Sequence, residues 1–192
     1  MTRTLHLIVE APMDGELVRA ILKMHFPALQ VRVTRPTGNN PNLARLAQQI
    51  EQLIASARRI AANTDCIAVL HDADRQTRPH DRADYERIET ACALHAGRVL
   101  HVQAVDEIEA WLLADSGVCQ WLGEQPANRD QLRQPSDRLG SWMKSRHKLT
   151  YRKSDLRPVM RHLRADGHER SPSMRAMLDQ LRQQPCTQGN TP

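Results

Sequence analysis

Three carboxylates in this chain stand directly behind apolar runs. Glu10 follows Leu5–Val9, and Asp72 and Asp74 follow the run that ends at Leu70. Residues two apart in an extended segment point the same way, so the two aspartates are placed to face one cation. Magnesium takes hard oxygen ligands and keeps several waters, so it needs only one or two carboxylates from a protein. A phosphate group supplies further oxygens. The chemistry open to such a centre is metal-assisted attack at a phosphodiester, with Mg2+ or Mn2+ as the ion. Each piece alone has a bland explanation. A Glu after a strand is usually a solvated loop residue, and Asp-x-Asp is often a turn or a helix cap. Their joint placement behind two separate apolar runs favours a metal site at Glu10, Asp72 and Asp74.

The elements that must position these acids alternate. Thr4–Val9 reads as a buried strand. Pro12 and Asp14 break it, with Asp14 placed to cap a helix carrying Leu17, Val18, Ile21 and Leu22. Gln30–Thr34 alternates as a second strand, and Arg35–Asn42 is a turn-rich loop. Leu43, Leu46, Ile50, Leu53, Ile54, Ala57 and Ile60 mark the clearest helix. Asp65–Leu70 is a third strand, Tyr85–His95 a helix, and Arg98–Val105 a fourth strand. Strands alternating with helices imply an α/β fold with an open, mostly parallel sheet flanked by helices. Ligands of such sheets bind beyond the carboxyl ends of the strands, where all three acids fall.

After Gly123 no further strand is convincing, and prolines punctuate short helical pieces. The expected organisation is an α/β core over 1–123, a basic helical C-terminal extension over 124–183, and a frayed tail over 184–192. Asp106–Ala114 starts another helix, on which Ile108, Trp111 and Leu112 form one apolar stripe with Asp115 on the same side. An acid aligned with a buried face needs a partner, a metal or a helix end. Asp115 is equally an N-cap for a helix over Ser116–Leu122. Glu109 is the better candidate for a further metal carboxylate, and Glu107 reads as a solvated flank.

These strings resemble a known family. Leu7-Ile8-Val9-Glu10 followed by Asp14, and Val69-Leu70-His71-Asp72-Ala73-Asp74, are similar to the toprim pattern of a strand ending in Glu-Gly and a later strand ending in Asp-x-Asp. Ala11 departs from it, standing where the family usually has Gly; a left-handed backbone there would disfavour alanine. Glu107-Ile108-Glu109-Ala110-Trp111-Leu112-Leu113-Ala114-Asp115 resembles the central segment of DUF4276, a toprim-like family related to the OLD-type nucleases. Tyr151-Arg152-Lys153 and Ser171-Pro172-Ser173 look like that family's C-terminal pattern, so the resemblance spans most of the chain. It implies a toprim-like fold and Mg2+-dependent hydrolysis of nucleic acid. Glu10 would be base or ligand, and Asp72 and Asp74 metal ligands. It also implies the effector subunit of an anti-phage defence system, working with an ATPase partner of the ABC or AAA class. The chain has no Gly-x-x-x-x-Gly-Lys-Ser/Thr loop of its own.

Charge distribution agrees with a polyanionic ligand. Net charge is +5, and Arg138–Arg175 holds eleven Lys or Arg against Asp155, Asp166 and Glu169. Lys144, Arg146, Lys148, Arg152 and Lys153 are the expected phosphate contacts, and Trp142 and Tyr151 could stack on bases. Core packing serves Trp142 equally well. His71 adjoins the aspartates, where it would orient a carboxylate or assist proton transfer. Four scattered cysteines form no zinc spacing, and Cys66 and Cys92 read as reduced core residues. No apolar run approaches the roughly 18 residues of a membrane span, and a cytoplasmic protein is expected. Two other readings compete with the nuclease: a non-catalytic subunit of the same shape that binds nucleic acid or protein, and a receiver-like domain that takes phosphate on Asp72.

Overall fold

The computed structural model describes residues 3–38, 42–73 and 79–188, without the side chains of Pro79 and His80. Four strands form the sheet: β1 (Thr4–Val9), β2 (Gln30–Thr34), β3 (Cys66–Ala73) and β4 (Val99–Val105). Their order is β2-β1-β3-β4, all parallel. Register sets Leu7 beside Val33 on one side and beside Ala68 on the other. Every residue of β1 is buried, as a strand paired on both sides and covered on both faces must be.

The contacts divide the chain into two compact units. One comprises 1–71, 76–103 and 180–192, and the other 72–75 and 104–179. The sequence pattern breaks after Gly123, whereas the contacts break between Gln103 and Ala104.

In the first unit, α1 (Pro12–His25), α2 (Leu43–Ile60) and α3 (Pro79–Ala93) accompany the sheet. Leu46, Ile50 and Ile54 of α2 meet Ile8, Ile67 and Val69 of the strands, and Ile88 and Cys92 of α3, in one apolar core. Asn42 caps α2 by accepting from the Arg45 backbone N–H at 2.9 Å. α1 lies so close to β2 that a β-carbon at Gly15 would sit 2.4 Å from Val33 Cγ1.

Asp14 occupies the third position of α1 and reaches back to the Ala11 N–H at 3.0 Å, rather than capping from in front. Ala11 itself has φ −124° and ψ 157°, an extended conformation open to any residue. Alanine at this position therefore introduces no backbone strain.

Two expectations are overturned at the C-terminus. Cys66 is not a free thiol, because it is disulfide-bonded to Cys186 across 120 residues. Of the expected tail over 184–192, the described residues 184–188 do not fray: Cys186 and Thr187 are buried, and the Thr187 hydroxyl donates to the Gln184 carbonyl at 3.0 Å, while 189–192 lie outside the described residues. No local pattern joins two cysteines so far apart in sequence. Cys92 and Cys119 are free and buried, as expected for Cys92.

The second unit carries α4 (Glu109–Ala114), α5 (Ser116–Leu122), α6 (Pro135–His147), the short α7 (Arg157–Met160), a 3-10 turn at Asp166–Glu169 and most of α8 (Pro172–Arg182). Here the helical C-terminal segment predicted by the sequence is present. Helix α4 packs with α5, α6 and the 3-10 turn, and all six of its residues are buried. The Trp111 indole N–H donates to the Ser173 hydroxyl at 2.8 Å, so the central string and the Ser-Pro-Ser string meet. No described helix is long and apolar enough to cross a membrane.

Candidate metal centre

Strand β3 runs on through His71 and Asp72 to Ala73, three residues past the predicted end, so Asp72 sits on a strand rather than in a loop. One of its oxygens, Oδ1, accepts the Ile108 backbone N–H at 2.8 Å. That N–H stands at the entry to α4, where the first amides lack intrahelical acceptors, and a carboxylate is the favoured partner there. The other oxygen, Oδ2, accepts from Lys153 Nζ at 2.9 Å.

Glu109 opens α4 and has no solvent exposure. Its Oε1 accepts the Tyr151 hydroxyl. Its Oε2 is buried without a hydrogen bond and lies 4.0 Å from Lys153 Nζ. Burial pushes the Glu109 carboxyl above the ordinary range. Lys153 opposes that shift, the Asp72 carboxylate adds to it, and the Tyr151 hydroxyl opposes it in turn. Among the described residues the centre is therefore two carboxylates, each with one oxygen held by a protein donor and the other turned toward the Lys153 ammonium.

A buried carboxylate with an oxygen that accepts no hydrogen bond is a costly arrangement unless something complements it. A hard divalent cation is such a complement, so the donor set of Asp72 and Glu109 fits magnesium or manganese. Among the described residues no group of three or more His, Cys, Asp or Glu side chains gathers in metal-binding geometry. Asp74, the third expected ligand, lies outside the described residues. Glu10 follows β1, half-buried, in the first unit.

The remaining acids of the α4 segment have structural partners. Asp115 caps α5, accepting the Gly117 and Val118 N–H groups at 3.0 and 3.1 Å, and also the Arg164 N–H at 3.1 Å. The N-cap alternative for this residue is the observed one. Glu107 is no solvated flank, because its Oε2 accepts the Ser136 N–H at 2.8 Å in the first turn of α6. Asp106 adopts φ 65° and accepts the Gln134 N–H at 3.1 Å.

His71 is fully buried, with Nε2 2.9 Å from His101 Nε2. One ring must donate and the other accept, so protonation of both would break the bond. Burial, opposed by Glu89, holds His101 below the ordinary histidine range. His147 and His162 each stack on Trp121, at centroid separations of 4.3 and 4.6 Å.

Of the expected phosphate contacts, Lys144, Arg146, Lys148 and Arg152 are exposed. Arg146 lies 3.7 Å from Glu124, and Lys148 closes α6 in a left-handed conformation. Lys153 is engaged with the two acids. The hydroxyl of Tyr151 is committed to Glu109, and the ring of Trp142 is faced by Arg129 and Arg138 at 5.5 and 5.9 Å. Sequence reasoning missed the pairing of Glu109 with Tyr151 and Lys153. The only signal was that both strings resemble one family, since 42 residues separate the tyrosine from the glutamate.

The family model described as "Domain of unknown function (DUF4276)" matches residues 9–186. The chain belongs to that family. No curated relative and no solved structure matches it.

Proposed function

We propose that this member of the DUF4276 family is a divalent-metal-dependent phosphodiester hydrolase acting on nucleic acid. The observation that carries the reading is Glu109, a wholly buried carboxyl whose Oε2 accepts no hydrogen bond and shares a cation with Asp72. Asp72 and Glu109 would hold Mg2+ or Mn2+. Glu10 and Asp74 join the proposed ligand set through the toprim resemblance alone. When bound, the metal supplies polarisation of a phosphoryl oxygen and stabilises charge on the leaving oxygen.

The chain's own residues do the rest. The Ile108 N–H orients Asp72, and the Tyr151 hydroxyl orients Glu109. Groups locked in this way need little reorganisation as charge develops on substrate. Lys153 supplies positive charge beside the two acids. Lys144, Arg146, Lys148 and Arg152 are exposed cations that would hold the sugar–phosphate backbone, giving affinity and salt dependence without sequence readout. As part of a defence system in the cytoplasm, such an effector would rely on a separate ABC- or AAA-class ATPase for any ATP hydrolysis. A purely binding subunit is the less supported reading, because Ala11 sits in an unstrained extended conformation.

Purified protein incubated with labelled DNA or RNA and Mg2+ or Mn2+ is expected to cleave one of them. Asp72→Ala is expected to abolish the reaction. An unchanged rate in that variant removes the acid centre from the mechanism.

A further inference from the structure

The two acids of this centre share a lysine that reaches them from the solvent side. Lys153 Nζ is 2.9 Å from Asp72 Oδ2 and 4.0 Å from Glu109 Oε2. The side chain of Lys153 is 41% exposed, while that of Asp72 is 13% exposed and that of Glu109 wholly buried. The acids are thus the floor of the centre and the ammonium its solvent-facing cover. Each acid also keeps a fixed oxygen, on the Ile108 N–H and the Tyr151 hydroxyl, which leaves Asp72 Oδ2 and Glu109 Oε2 as the cation-facing pair.

A lysine ammonium is a compact point charge on a flexible four-carbon stem. It brings one positive charge to two carboxylates, and of these two it reaches Asp72 at hydrogen-bond distance and stands 4.0 Å from Glu109. A divalent ion brings two charges and can take oxygens from both. The same two oxygens cannot bond the ammonium and an ion at once without crowding like charges, whose repulsion is strong at short range. From this geometry we infer that Lys153 is a resident counter-ion of the metal centre, one that a divalent cation must displace to enter.

This inference rests on the reading of Asp72 and Glu109 as a metal pair and adds to it a control on loading. The lysine offsets part of the negative charge while no metal is bound, so that Glu109 is not left as an uncompensated buried charge. It also sets a threshold concentration, because every ion bound must first move an ammonium. The displaced lysine stays tethered near the centre by its own backbone.

Direct Mn2+ binding to the full chain tests both layers, by calorimetry or by the electron-spin signal of free Mn2+. Wild type is expected to bind Mn2+, and Glu109→Gln to lose that binding. Lys153→Met, which keeps the length of the stem and removes the charge, is expected to bind about tenfold more tightly, with a correspondingly larger Mn2+-induced rise in melting temperature. Lys153→Arg retains the charge and is expected to gain nothing, which separates competition from altered packing. If wild type binds Mn2+ and Lys153→Met binds no tighter, the counter-ion role is overturned and the metal centre stands. If neither binds at about 10 mM Mn2+, far above the range of a functional site, the metal reading and the counter-ion fall together.

Discussion

The two ends of α4 hold buried carboxyls of opposite character. At the C-terminal end, Asp115 is 1% exposed and accepts three backbone N–H groups, from Gly117, Val118 and Arg164. At the N-terminal end, Glu109 is equally buried but accepts only the Tyr151 hydroxyl, leaving Oε2 without a hydrogen bond. Burial pushes both carboxyls above their ordinary range. At Asp115 the main counterweight is a set of backbone N–H donors, and at Glu109 it is the Lys153 side chain. Backbone donors cannot leave, whereas a lysine on a flexible stem can. Asp115 is thus a structural cap, whereas Glu109 keeps one buried oxygen without a hydrogen bond, which is what the proposed metal role requires.

The comparison breaks first on activity. Glu109→Gln keeps the shape and an acceptor for Tyr151, so it is expected to fold with a melting temperature near wild type. Its cleavage rate is expected to fall by roughly 100- to 1000-fold, the usual loss when a charge-stabilising group is removed. A rate within a few-fold of wild type, read in a gel or fluorescence assay, would make Glu109 as structural as Asp115.

The next effect belongs to the other end. Asp115→Ala strips three N–H groups of their acceptor, and the expected loss is about 3 kcal/mol of stability by denaturant midpoint. A loss below roughly 0.5 kcal/mol would mean that water replaces the cap. Gly117→Ala probes the same corner, because a β-carbon there would lie 2.0 Å from the His162 carbonyl oxygen. About 2 kcal/mol of destabilisation is expected from overpacking.

The smallest effect is one of pH. A raised folded-state carboxyl pKa contributes stability below the unfolded value, and that contribution is lost as pH rises through the folded value. The melting temperature of wild type, relative to Glu109→Gln, is therefore expected to fall as pH rises from about 4.5, then level off. Saturating Mn2+ is expected to flatten that slope by favouring the ionised carboxyl. A difference that is flat across this range would show that burial does not govern Glu109.

Much of the fold was legible because the cues are local. The apolar runs at Thr4–Val9 and Gln30–Thr34 and the helical period over Leu43–Ile60 match the observed elements residue for residue. Strand β3 ended late because polar His71 and Asp72 break the apolar run, yet the strand continues through both. Asp72 and Glu109 were both marked as candidate ligands. Their shared contact with Lys153 was not, since it joins side chains far apart in sequence.

The sequence by itself determined the alternation of strands and helices, the parallel sheet that follows from it, and the family. All of these are carried by periodicity and by strings of neighbouring residues. Only the tertiary structure decided which buried acid is satisfied. It placed backbone donors around Asp115, a tyrosine and a lysine around Glu109, and Cys186 against Cys66. The physical reason is that hydrogen bonds and ion pairs act over a few ångströms in space, and spacing along a chain does not report which distant residues folding brings within that reach.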